Sequence, residues 1–153
     1  MAKSWVLLLS LLYLGMQIKQ NTRSLRSAAY QAAISSMSDM ARATGTDLQT
    51  ARVMRIFLQE DLADLSEDEF MMATSYLTGL FRNFENFFYQ HETGAMEDHL
   101  WLGMRHSMVG YYHMPNVRAW WDQRKLIYSP KFVEFLESQP RVDSLPKLNQ
   151  FTT

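Results

Sequence analysis

Three histidines, His99, His106 and His113, recur at intervals of seven with Gly103 and Gly110 between them, and they are the side chains that most invite a chemical reading. On a helix this spacing places them on one face, yet successive members lie about 10.5 Å apart along the axis. A zinc ion needs its nitrogens at about 2.0–2.1 Å, so no two of these rings can share a metal and a second helix would have to supply ligands. His91 and Glu92 are the nearest suppliers, but no second histidine follows them at zincin spacing, and no Glu-x-x-His pair of the di-iron type occurs. The expectation is no metal site: a partly exposed histidine stripe beside glycines that permit close helix packing.

Arg82, Glu85, Asn86 and Gln90 form a second constellation. Arg82, Asn86 and Gln90 step by four along one helical face and Glu85 lies three from Arg82, so the four can grip a small polar or anionic ligand. The competing account is structural, with Arg82 and Glu85 paired and bonded to loop carbonyls because buried polar groups must be satisfied. Trp101, Tyr111, Tyr112, Trp120 and Trp121, with 11 methionines, suit a core or an adaptable binding groove. Adjacent Trp120 and Trp121 are expected to part, one buried and the other at an edge.

No nucleophile elbow, Walker loop, dinucleotide fingerprint or cysteine is present, so no catalytic residue and no cofactor is expected. An enzyme, or a metal-binding bundle, would need Glu85, Glu92 and the histidines to be assembled by the fold into acid–base groups or ligands.

The elements that must position these groups read as all-α: a hydrophobic N-terminal helix followed by a compact bundle of about five helices. No alternating β-branched run bounded by hairpin turns occurs. A first body helix over residues 24–43 carries Tyr30, Ile34, Met37 and Met40 at helical spacing, either separate from the N-terminal helix or continuing it. Asp47 caps a second, with Leu48, Ala51, Met54 or Ile56, and Leu58 as its apolar face. Ser66 and Glu69 form a capping box opening a long aromatic helix in which Phe70, Leu77 and Phe84 recur every seven, and Gly94 ends it. A fourth helix covers about 96–113. Pro115 and Pro130 each open a further short one, the latter after Ser129 as cap.

Residues 5–18, WVLLLSLLYLGMQI, are uncharged and apolar on every helical side, so they must be buried in protein or lipid. Fourteen residues rise about 21 Å, short of a hydrocarbon core of roughly 30 Å. Flanking Lys3 and Lys19 can snorkel, and Trp5 and Tyr13 suit an interface, which extends the reach to a thinned bilayer. A cleavable signal peptide fits less well, since residues 15–19 offer no small-x-small site.

The chain holds 15 Lys+Arg and 16 Asp+Glu; four bases and no acid fall in the first 26 residues, leaving 11 against 16 in the rest. Lys19, Arg23 and Arg26 after the run place the body in the cytoplasm by the positive-inside rule and favour anionic lipid by about 1 kcal/mol each. An acidic body excludes the basic stripe of a nucleic-acid binder. The organisation expected is an anchor over 1–20, a bundle over 21–138 and an irregular tail over 139–153 that either moves freely or straps back through Leu145 and Leu148.

The segment from Tyr13 to Thr22 (YLGMQIKQNT), residues 82–86 with Tyr89 and Gly94, Trp101, residues 115–121 and residues 129–132 together resemble a family of short bacterial proteins of uncharacterised activity, whose members lead from one hydrophobic segment through a YLxxQIxxNT-type junction into a helical domain. The resemblance implies a bacterial source and a membrane anchor, though the apolar segment is shorter here than in the family pattern. The expectation is a single-pass protein of the bacterial inner membrane that faces the cytoplasm and serves as an interaction or sensory module. Its partners would be membrane lipid through residues 5–18 and a protein partner or second copy, without nucleic acid. A soluble chain whose residues 5–18 are covered by partner helices is the contrasting expectation.

Overall fold

The computed structural model describes residues 2–141, with side chains described from residue 7 onward. Among the described residues every regular element is helical: α1 (Ala2–Thr46), α2 (Leu48–Gln59), α3 (Glu67–Glu92), α4 (Asp98–Tyr112), α5 (Pro115–Arg124) and α6 (Pro130–Glu137). The expected all-α bundle, with five helices after the first, is the fold. The tail lies outside the described residues from position 142 onward, as do the side chains of Lys3 and Trp5.

Local chemistry sets most boundaries. The Asp47 carboxylate accepts from the Thr50 amide and caps α2, and these bonds to Thr50 hold its carboxyl below the usual range. At α3 the capping box is complete: the Ser66 hydroxyl accepts from the Glu69 amide while Glu69 accepts from the Ser66 amide. Gly94 stops the chain after α3 at φ 66°, where a Cβ would be strained, and its amide bonds to the His91 carbonyl. Pro115 and Pro130 open α5 and α6 in the first turn.

α1 is one unbroken helix of 45 residues, about 68 Å long, with no stop at residue 20 or at Gly45. Its C-terminal third supplies the stripe Tyr30, Ala33, Ile34, Met37 and Met40, which packs on α2 and α3. The Tyr76 hydroxyl fixes that docking by donating to the Met40 carbonyl at 3.3 Å and accepting from Thr44 at 3.0 Å. Residues 7–29 are exposed throughout.

The core is aromatic and centres on α3. Phe81 is fully buried against Phe84, Trp120, Trp121 and Tyr128, with ring centroids 5.1–6.4 Å away. Trp120 and Trp121 are both buried, contrary to the expectation that one would sit at an edge, because α5 wedges between α2 and the segment leading to α6 and so has apolar neighbours on two sides. Leu48 also departs from expectation and is 89% exposed; the inward face of α2 is Val53, Met54, Ile56, Phe57 and Leu58, all beyond its first turn. Phe70 lies at the rim of the aromatic stripe and is partly exposed against Phe57.

Candidate functional site

Arg82 and Glu85 lie one turn apart on α3, and the tertiary fold brings the loop before α6 across them. Arg82 donates to the Glu85 carboxylate at 2.7 Å and, through its other terminal nitrogen, to the Ile127 carbonyl at 2.7 Å. Its guanidinium lies 4.7 Å from the centre of the Tyr128 ring. The second Glu85 oxygen accepts from the Ser129 amide at 2.6 Å, so Glu85 caps α6 in place of the Ser129 hydroxyl that the sequence suggests. Burial drives the Tyr128 phenol well above its ordinary value, and its hydroxyl donates to the Thr78 carbonyl at 3.3 Å. Both Glu85 oxygens are thus engaged, one by a cation and one by main chain, which makes the pair a brace between α3 and α6.

Asn86 and Gln90 stand apart from that brace. Asn86 is exposed, and its side-chain oxygen accepts from the buried Gln90 amide at 3.4 Å. The Gln90 side-chain Oε1 is buried without a hydrogen-bond partner. The four residues expected as one ligand grip therefore divide into an α3–α6 brace and a separate amide pair.

The histidines do not converge either. His99 is exposed with the Glu97 carboxylate 3.5 Å away, and His106 is exposed. His113, in the tautomer protonated at Nε2, donates to the Gln139 carbonyl at 3.2 Å. With Arg105 donating to the Gln139 side chain at 2.6 and 3.0 Å, it ties the segment after α6 to α4. His91 stacks on Trp101 at 4.4 Å with rings 13° from parallel, and Asp98 is 3.6 Å from its Nε2. Gly103 has open space around it and admits no close helix packing, which removes the role expected of it. Among the described residues no group of three or more His, Asp or Glu side chains could hold a metal ion. Glu92 is exposed.

The structure instead forms a cleft that single-helix reasoning misses. Lys19, Arg23, Arg26 and Tyr30 on α1 face the α3–α4 turn at Gly94, Met96 and Glu97 and the Leu100 side chain across a half-open cleft of about 700 Å³. The three bases step by four and three and share one face, which was the available signal. Among the described residues none of the three forms an ion pair. The opposite side of the same turns, at Gln17, Ile18, Gln20, Asn21 and Ser24, is uncharged.

No helix among the described residues is long and apolar enough to cross a membrane. Leu7, Leu8, Leu9, Leu11, Leu12, Leu14, Met16 and Ile18 are nevertheless each more than half exposed and point to every side of α1. Fold and surface together define a class: an all-α bundle from which one long helix projects. No protein-family model matches the chain, and no curated protein and no solved structure matches it either.

Proposed function

We propose that the projecting half of α1 is a hydrophobic lipid anchor and that the protein is a helical interaction or sensory module held at a membrane. The observation that carries this reading is the exposure of residues 7–18 on all sides, clear of the bundle. Eight apolar side chains, each more than half exposed, forgo about 1 kcal/mol each, or about 8 kcal/mol together, that transfer to hydrocarbon would recover. The polar Gln17 amide in the same stretch already donates to the Tyr13 hydroxyl at 2.8 Å, which lowers its cost of leaving water.

The run is shorter than a full hydrocarbon core, so the anchor enters a thinned bilayer or lies at the interface. The basic residues following it put the bundle on the cytoplasmic side. A bacterial source, the inner membrane and membership of the family of short bacterial proteins with the YLxxQIxxNT-type junction belong to the same reading. So does engagement of a protein partner or a second copy through the exposed helix.

Cell fractionation without detergent tests the anchor. The chain is expected in the membrane pellet and should resist an alkaline wash; recovery wholly in the soluble phase overturns the proposal. Crosslinking capture by the full chain, compared with a chain lacking residues 1–20, reads the interaction role. Partners found only with the full chain show that location is part of the function, and identical captures refute that link.

A further inference from the structure

We infer that the cleft between α1 and the α3–α4 turn binds the phosphate of an anionic phospholipid, with Lys19, Arg23 and Arg26 as its cationic wall. The inference rests on the membrane reading above and adds a site and a headgroup charge to it. Three observations support it. The bases line a half-open space of about 700 Å³ and do not fan out around the helix, and among the described residues none is neutralised by an acid. Their depth is right for an anchor that enters the bilayer along its normal: taken from Ile18, where the apolar run ends, Lys19, Arg23 and Arg26 lie about 1.5, 7.5 and 12 Å further along the axis. A bilayer whose core of about 30 Å grows to 40–45 Å with its headgroups has a polar layer of about 5–8 Å on each side, which Lys19 and Arg23 occupy and the long Arg26 side chain reaches back into.

The facing wall is mixed in a way that suits a lipid better than a free anion. Leu100, half-buried beside the core residue Met96, offers apolar surface to the glycerol and first acyl carbons, while Glu97 is a carboxylate on the far side of the space. Glu97 opposes an anion, so the three bases must outweigh it, and Glu97→Gln should strengthen binding. Gly94, at φ 66°, holds the turn that forms this wall.

The test separates the cleft from general attraction of a basic helix to a negative surface. A chain carrying Arg23→Gln and Arg26→Gln with Asn21→Arg and Ser24→Arg keeps its net charge and nearly its depth, but moves two charges to the opposite face of α1; all four positions are exposed, and circular dichroism and melting verify the fold. Flotation is measured with vesicles of phosphatidylcholine alone and of equal parts phosphatidylcholine and phosphatidylglycerol. The parent chain should float with both and prefer the anionic vesicles by on the order of fivefold per engaged base, and the relocated chain should lose at least about fivefold of that preference. If both chains prefer the anionic vesicles equally, or neither does, the cleft proposal is overturned and the anchor stands. Failure of the parent to float with either overturns the membrane reading and the cleft with it. A melting shift of the parent by inorganic phosphate without vesicles, absent from the relocated chain, would assign the cleft to a soluble phosphate and overturn the lipid assignment.

Discussion

Arg82→Leu measures what the α3–α6 brace contributes. The substitution removes an ion pair, a hydrogen bond to the Ile127 carbonyl and the contact with the Tyr128 ring. The Arg82 side chain is 50% exposed and Glu85 17%, so solvent screens the ion pair to about 0.5 kcal/mol. The ring contact at a half-exposed site adds about 0.5 kcal/mol. The Ile127 carbonyl, left with solvent as its only alternative, adds about 1 kcal/mol. The loss is about 2 kcal/mol, which for a chain of this size lowers the melting temperature by about 6 °C. Calorimetry of the folded chain with and without the substitution is the assay. Glu85→Gln should cost less, because one side-chain oxygen remains for the Ser129 amide, and the double variant should show a coupling of about 0.5–1 kcal/mol. An Arg82→Leu protein that melts within about 2 °C of the parent would refute the brace and return Arg82 to the pool of residues free to hold a ligand.

Three further outcomes follow from the packing. Phe81→Ala empties the fully buried centre of the aromatic core and should destabilise by about 3–5 kcal/mol in denaturant titration. Gly79→Ala should stabilise by about 0.5–1 kcal/mol, since a Cβ there meets only the Met40 methyl at an ordinary 3.7 Å and the interior of α3 gains a better helix former; a lower melting temperature would show that the α1–α3 contact is tighter than this geometry. Acid should weaken the fold. Asp47, bonded to Thr50, Glu69, bonded to Ser66, and Glu137, bonded to Lys125, all have carboxyls held below the ordinary range. A carboxylate with a depressed folded pKa stabilises above its unfolded value and loses that contribution as pH falls through its folded value, so melting temperature should decline below roughly pH 4 and level off nearer neutrality. A melting temperature unchanged down to pH 3 would remove the caps from the account.

The functional reading joins two surfaces that the fold leaves uncovered, an apolar one and a basic one in sequence along the same helix. α1 runs without a break from residue 2 to residue 46, so its projecting end and the stripe docked on α2 and α3 belong to one helix. A break in α1, such as Ser27→Pro, should uncouple the two while leaving the stripe from Tyr30 onward in place.

What the chain determined by itself was everything that depends on neighbours a few residues away. Asp47, the Ser66–Glu69 box, Gly94, Pro115 and Pro130 act through their own backbone and the next turn, so the starts of α2, α3, α5 and α6 and the stop of α3 were readable in order. The apolar character of residues 5–18 was equally legible, because it is composition. Which face each helix buries needed the partner. Leu48 and the Trp120–Trp121 pair each have the type of residue that packs inside, and only the placement of α5 against α2 and α3 decided that the tryptophans are both interior and the leucine is not. The same holds for polar groups: Glu85 meets the Ser129 amide across 44 residues, and Arg23 lines one cleft with the Gly94 turn, separations at which no local spacing rule operates. Short-range chemistry wrote the elements, and long-range packing chose which of their side chains stayed available to the outside.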